Sequence, residues 1–238
     1  MQRMLEVKRF IFGPFETNTY VVSLPCREGS ESGSQVLLID PACSNEWERN
    51  LLEKYIEDRR QSLLTEYRPQ TEPADRVQIL ATHGHLDHLW GAKWATERWN
   101  TPVLMHEADI PMAQAMQQQY DLFGIRAKAN PFPLERIDRR LCLLTEYRPQ
   151  AAPADRVQII PTPGHTPGSI CIYFPEEKIL FSGDTLFQMG YGRTDLPGGN
   201  YGRLLDSLEH LFSLPSDVRV YPGHGEETMM GREYRPLR

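Results

Sequence analysis

The segment Thr82-His83-Gly84-His85-Leu86-Asp87-His88 holds four candidate metal donors, three imidazoles and one carboxylate, within six positions. These groups hold zinc or non-haem iron at about 2.0–2.2 Å, and residues two apart on an extended segment point the same way. His83 and His85 can therefore share one ion. Asp87 and His88 fall where Leu89, Trp90, Gly91, Ala92, Lys93 and Trp94 suggest a helix start, so they face another direction, which suits a second ion alongside. A bound divalent ion lowers the pKa of water from roughly 15.7 to about 7, so hydroxide exists at neutral pH without a protein base. The plain alternative is a run of surface histidines, since a single histidine is more often a satisfied structural side chain than a ligand.

The elements that must position these donors argue against that alternative. Val77-Gln78-Ile79-Leu80-Ala81 has the length and branching of a buried strand, so the histidines emerge where a strand stops. Pro163-Gly164-His165-Thr166-Pro167-Gly168 puts a histidine in a stiff turn after a strand at Val157 to Pro161. Gly183-Asp184-Thr185 puts an acid after the strand Lys178 to Ser182, and Pro222-Gly223-His224-Gly225 ends the strand Val218 to Tyr221. Four separate strand ends each deliver a donor.

In this order, His-x-His-x-Asp-His, Gly-His-Thr-Pro-Gly, Gly-Asp-Thr and Gly-His-Gly, the chain resembles the metallo-β-lactamase superfamily, and within it the short bacterial hydrolases related to glyoxalase II. The resemblance runs from Phe12-Gly13-Pro14-Phe15-Glu16-Thr17-Asn18-Thr19-Tyr20 to Pro222-Gly223-His224-Gly225-Glu226-Glu227-Thr228. It implies that His83, His85 and His165 hold a first ion, that Asp87, His88 and His224 hold a second, and that Asp184 bridges them. The implied ions are two divalent metals, zinc foremost, with iron or manganese also able to accept these ligands. The implied fold is α+β, a four-layer αβ/βα sandwich of two packed mixed sheets flanked by helices, with the metals at one rim.

The remaining elements suit that architecture. Extended candidates are Glu6 to Phe12, Thr19 to Leu24, Gln35 to Asp40, Val77 to Thr82, Val103 to His106 and Ser169 to Phe174, besides those already given. Helical stripes are Trp47, Leu51, Leu52, Tyr55 and Ile56, and Leu204, Leu205, Leu208, Leu211 and Phe212, both predicted to face the core. A third helix is expected near Asp109, with Pro111 in its first turn and Met112, Ala113, Met116 and Tyr120 inward.

Composition bounds the rest. With 238 residues, 40% of them hydrophobic, the chain can bury one good core, and residues 1–238 read as a single domain. A net charge of −6 argues against nucleic acid as a partner, because phosphate contacts need a basic face. No apolar run approaches the ~18 residues of a membrane span, and Met1 to Lys8 lacks a signal-peptide core, so the expected compartment is the cytoplasm. Cys26, Cys43, Cys142 and Cys171 are scattered, which points to free thiols. Residues 58–80 recur almost unchanged as 138–160, and each copy ends in the strand that feeds a metal loop. Such close identity points to a recent copying of a surface insertion, with Tyr67-Arg68-Pro69 and Tyr147-Arg148-Pro149 in exposed loops. The plainer role for the pair is none, and the alternative is an interface between copies of the chain in a homo-oligomer.

The chemistry expected is metal-dependent hydrolysis of a small-molecule thioester, of the hydroxyacylglutathione hydrolase type. Hydroxide between two ions can attack a carbonyl held over the first, and a thiolate leaving group is a good metal ligand that needs little acid assistance. Asp87, with the metal-bound water, is the catalytic candidate, and Arg193 in Gly192-Arg193-Thr194-Asp195 is the candidate for gripping a substrate carboxylate. The plainer role for Arg193 is binding backbone carbonyls. Two alternatives stand. Gly-Arg-Thr-Asp also resembles the persulfide dioxygenases, which use one iron on the equivalents of His83, His165 and Asp184, and the duplicated loops would suit a non-catalytic metal-binding module. Asp40 is read as support beneath the metal loop or as a simple strand-end turn, His106 as structural or helix-capping, and His210 as solvated.

Overall fold

The computed structural model describes residues 5–24, 35–66, 77–137 and 157–233, with the side chains of 64–66 outside that description. The first half of the chain runs β1 (Glu6–Phe12), β2 (Thr17–Leu24), β3 (Gln35–Ile39), α1 (Glu46–Glu66), β4 (Val77–Leu80), α2 (Leu86–Leu89), α3 (Ala92–Trp99), β5 (Val103–Met105), α4 (Ile110–Gln114), α5 (Met116–Leu122) and β6 (Leu134–Arg136). It forms one six-stranded sheet in order β1-β2-β3-β4-β5-β6, antiparallel through β3 and parallel thereafter. The second half contributes β7 (Gln158–Pro161), β8 (Ile170–Phe174), β9 (Ile179–Gly183), β10 (Leu186–Phe187), β11 (Gly190–Tyr191), α6 (Tyr201–Leu211), β12 (Arg219–Pro222), β13 (Thr228–Met229) and α7 (Met230–Glu233). Its five-stranded sheet has the order β13-β12-β9-β8-β7, with β10 and β11 as a separate hairpin.

Alternation along the strands shows why the layers form. In β2, Tyr20, Val22 and Leu24 face the second sheet while Val21 faces the helices, and in β3 Leu37 and Ile39 oppose Val36 and Leu38 in the same way. In β8, Ile170, Ile172 and Phe174 enter the inter-sheet core, and Cys171 and Tyr173 face α6. Both faces of each sheet are thus apolar, so each needs a helical cover. On one side Leu52, Ile56 and Leu63 of α1 pack with Ala92 and Ala95 of α3, and on the other Leu204, Leu208 and Leu211 of α6 do the same work. The order helices, sheet, sheet, helices is the four-layer sandwich expected.

Several expectations need correction. The α1 stripe is rotated: Leu52 and Ile56 are buried, but Trp47 is 71% and Leu51 39% exposed. The third helix is split into α4 and α5 at Ala115, whose φ and ψ of −85° and 26° leave the helical region. The first copy of the repeat has residues 58–66 in α1, where Leu63 is buried, and residues 77–80 in the fully buried strand β4. Its Tyr67-Arg68-Pro69, and residues 138–156 of the second copy, lie outside the described residues. Cys43 and Cys171 are buried free thiols, each pushed by burial up to about 12. Cys26 and Cys142 lie outside the described residues. Among the described residues no helix is long and apolar enough to cross a membrane.

Candidate metal centre

The donors sit just past the ends of β4, β7, β9 and β12. The last three run in one direction, so their carboxyl ends share an edge of the second sheet. From β4 the chain turns through His83 and His85 into α2, which carries Asp87 and His88. His165 lies in the turn after β7, Asp184 directly follows β9, and His224 lies two residues beyond β12. The backbone is bent hard to achieve this. Gly183 and Gly164 take φ of 49° and 145°, and a Cβ on Gly223 would lie 2.1 Å from Asp184 Oδ1.

All seven residues come together. Three sets of donor atoms lie within 4.8 Å of one another: His83 with His85 and His165, Asp87 with His88 and His224, and His83 with His88 and Asp184. The first two are the sets expected for two ions. Asp184 stands between them, with Oδ1 3.3 Å from His88 Nε2 and Oδ2 3.4 Å from His165 Nε2 and 3.5 Å from His224 Nε2. Asp87 Oδ2 lies 3.2 Å from His224 Nε2 and 3.4 Å from His88 Nε2.

Hydrogen bonds at the back of four of the five rings fix their tautomers. Asp40 accepts from Thr82 through both backbone N (2.7 Å) and Oγ1 (2.7 Å), so the hydroxyl proton is committed and His83 Nδ1, 3.1 Å from Thr82 Oγ1, must be the donor there. His88 Nδ1 donates to Asp40 Oδ2 (2.9 Å), His165 Nδ1 to the Arg193 carbonyl (2.7 Å) and His224 Nδ1 to the Phe15 carbonyl (3.1 Å). Each of these four rings therefore aims Nε2 into the centre, while His85 presents Nδ1, 2.9 Å from His165 Nε2. Buried and without hydrogen-bond partners are His83 Nε2, His88 Nε2 and Asp184 Oδ1. Orphaned buried donors and acceptors carry a cost of about 1–3 kcal/mol each, and three pointing at one spot fit a cationic occupant. The donor set and its orphans thus fit paired divalent metal ions.

Electrostatics divide the centre. Burial, with His88 and the other imidazoles, holds His83 well below the usual imidazole range, and burial with His165 pushes His85 down to about 4. Burial acts the same way on His88, but Asp87, Asp184 and Asp40 outweigh it and hold this ring well above that range. His224 is raised against burial by its hydrogen bond to Asp87 and by Asp184. Burial would raise both carboxyls, yet Asp87 and Asp184 stay below the usual carboxylate range beside His88 and His224.

The supporting residues were only partly legible. Asp40, with φ 52°, is the support expected beneath the loop. His106 caps the turn at Glu107–Asp109, its Nδ1 accepting from Ala108 N at 3.2 Å, and His210 is exposed. Arg193 has its guanidinium at the surface, paired with Asp195 at 2.7 and 2.6 Å, and its carbonyl is what touches the centre. Not foreseen were Thr17, whose Oγ1 donates to Asp87 Oδ2 at 2.8 Å, Gln119, which grips Gly84 O and Leu86 N at 2.9 Å each, and Asp109. None has a local signal, because each partner is distant in sequence.

Comparison with known proteins agrees with this geometry. The chain is 32% identical over 225 residues to the probable metallo-hydrolase YqgX of Bacillus subtilis (strain 168), covering 93% of this chain and 90% of that one. It is 33% identical over 159 residues to the hydroxyacylglutathione hydrolase GloC of Haemophilus influenzae, covering 66% and 72%. The crystal structure of TTHA1623 in a di-iron-bound form superposes with a TM-score of 0.68 at 30% identity, covering 95% of this chain and 96% of that chain. The model of the metallo-β-lactamase superfamily matches residues 12–224. That match runs from the last residue of β1 to the last of the seven donors, and the chain accordingly belongs to the metallo-β-lactamase superfamily.

Proposed function

We propose that the protein is a binuclear metal-dependent thioester hydrolase of the hydroxyacylglutathione type. The observation that carries this reading is Asp184, placed between two complete donor sets so that its carboxylate can serve both. A relative 33% identical named as a hydroxyacylglutathione hydrolase supports the choice of substrate. Paired divalent ions would supply Lewis acidity and lower the pKa of water to about 7.

The chain's own residues do the rest. His83 and His85 stay neutral, and so are ready to coordinate, across the physiological range. Asp87, pinned by Thr17 and held below the usual carboxylate range, is a weak proton acceptor, so its role is to orient a nucleophilic water through an ionised oxygen rather than to remove the proton. Arg193 would receive a substrate carboxylate by exchanging it for Asp195. The mononuclear persulfide dioxygenase reading uses only His83, His165 and Asp184, and leaves His85, Asp87, His88 and His224 without work.

The test is metal analysis combined with turnover of S-lactoylglutathione and a small panel of other thioesters. Two ions per chain are expected, with hydrolysis falling at least ~100-fold in Asp184→Asn, on the scale of a lost transition-state contact. A fully loaded protein that hydrolyses no thioester would remove the proposal.

A further inference from the structure

Asp109 is fully buried. Its carboxylate accepts three hydrogen bonds: from Gly84 N to Oδ2 at 2.8 Å, from Thr166 Oγ1 to Oδ2 at 2.6 Å, and from Gly168 N to Oδ1 at 2.6 Å. Gly84 lies between His83 and His85, and Thr166 and Gly168 follow His165 in its turn. One carboxylate therefore clasps both loops that carry the first donor set. It comes from neither, since it precedes α4 behind them.

The glycines record the same clasp. A Cβ on Gly84 would meet Asp109 O at 3.0 Å and Asp109 Cβ at 3.3 Å, and one on Gly168 would meet Asp109 Cγ, N and Oδ1 at 2.7 Å. The donors of the second set have other holders: Asp87 is held by Thr17, His88 by Asp40 and His224 by the Phe15 carbonyl. Asp40 reaches His83 as well, through Thr82, but not His85 or His165.

We infer that Asp109 is a positioning residue that fixes the spacing of His85 and His165, and through it the affinity of the first ion alone. This rests on the two-ion reading of the centre but not on the identity of the substrate. An Asn in its place presents an NH2 to at least one N–H donor, so one loop is released while the shape is kept. Removing a group that orients a metal ligand typically lowers metal affinity about 10–100-fold.

The test is calorimetric titration of the metal-free full chain with Zn2+, with thermal melting of the same sample. In Asp109→Asn one binding step should weaken about 10–100-fold while the other stays within about threefold. In a His224→Ala background, which retains the first set, the same loss should persist. Thr166→Val, which removes one of the three hydrogen bonds, should give a smaller loss of that step and guards against a misfolded Asp109→Asn. Equal weakening of both steps, or a metal-free melting point that falls with no step singled out, would reduce Asp109 to a general stabiliser and overturn the inference. Unchanged affinities would overturn it too. Two unequal steps without thioester turnover would leave the clasp standing and sink only the proposed substrate.

Discussion

At the scale of single residues, the centre holds four carboxylate oxygens against five imidazoles, and burial makes every proton on them matter. Without metal, Asp87 and Asp184 favour the protonated forms of His88 and His224, because the carboxylates need a counter-charge in a dry site. A metal ion takes over that role, so binding must expel those protons. The sign follows: a proton on a ring that must coordinate has to leave first, so apparent affinity climbs as pH rises toward the folded-state pKa of these two histidines. His83 and His85, held low, add no such penalty above about pH 4 for His85. Calorimetry at pH 7 in buffers of different ionisation enthalpy should therefore show net proton release, carried by the second ion. Zero release would mean that these rings are already neutral. The seven residues that come together were readable because they cluster just after four apolar runs. Asp109 was not, since its three partners lie 25, 57 and 59 positions away and nothing local marks it.

Elements were legible where a run of side chains is long enough to show its pattern, as in β1, whose bounds are those predicted although only Phe12 in it is buried. Strands β2, β3, β4, β8 and β9 are buried on both faces, and their predicted bounds fall within one or two residues of those found. Strands β6, β10, β11 and β13, of two or three residues each, hold too few side chains for a period to show, whereas the equally short β5 is marked by its apolar Val103-Leu104-Met105. Helix α1 shows the opposite failure. Its apolar residues cover more than one face, so hydrophobicity alone could not choose which to bury. The structure chooses Leu52 and Ile56, packed with Val36, Leu38 and Ile79 beneath them, and leaves Trp47 in solvent. Leu52→Ala should then cost about 2–5 kcal/mol by cavity formation, whereas Trp47→Ser should fall within about 0.5 kcal/mol. Urea denaturation of both variants measures the difference, and a Trp47 loss as large as that of Leu52 would show that α1 is turned the other way.

For the whole molecule, the two sheets meet in an apolar core of Tyr20, Leu37, Ile39 and Leu80 against Ile170, Ile172, Phe174 and Phe181, and aromatic edges such as Tyr20–Phe181 at 5.1 Å close the seam. At the rim that seam turns polar. Asn18 donates to the carbonyls of Pro222 and Gly225 at 2.9 Å each, and Tyr20 Oη donates to Pro222 O at 2.6 Å, so the first sheet holds the His224 loop of the second. The donors straddle this seam: His83, His85, Asp87 and His88 follow a strand of the first sheet, and His165, Asp184 and His224 follow strands of the second. Each proposed ion would therefore tie the sheets to each other, as no contact confined to one layer can. A ligand bound only by the folded state stabilises by RT ln(1 + [L]/Kd), about 4 kcal/mol at a thousandfold excess over Kd, which for a chain of this size corresponds to roughly 8–16 °C in melting temperature. Stripping the metals with a chelator should lower the calorimetric melting point by that order, and restoring Zn2+ should recover it. Asp184→Asn, which weakens the group placed between both donor sets, should shrink the gap between loaded and stripped protein. An equal melting point with and without metal would mean that the donors are held together by the apolar seam alone and bind no ion strongly enough to matter.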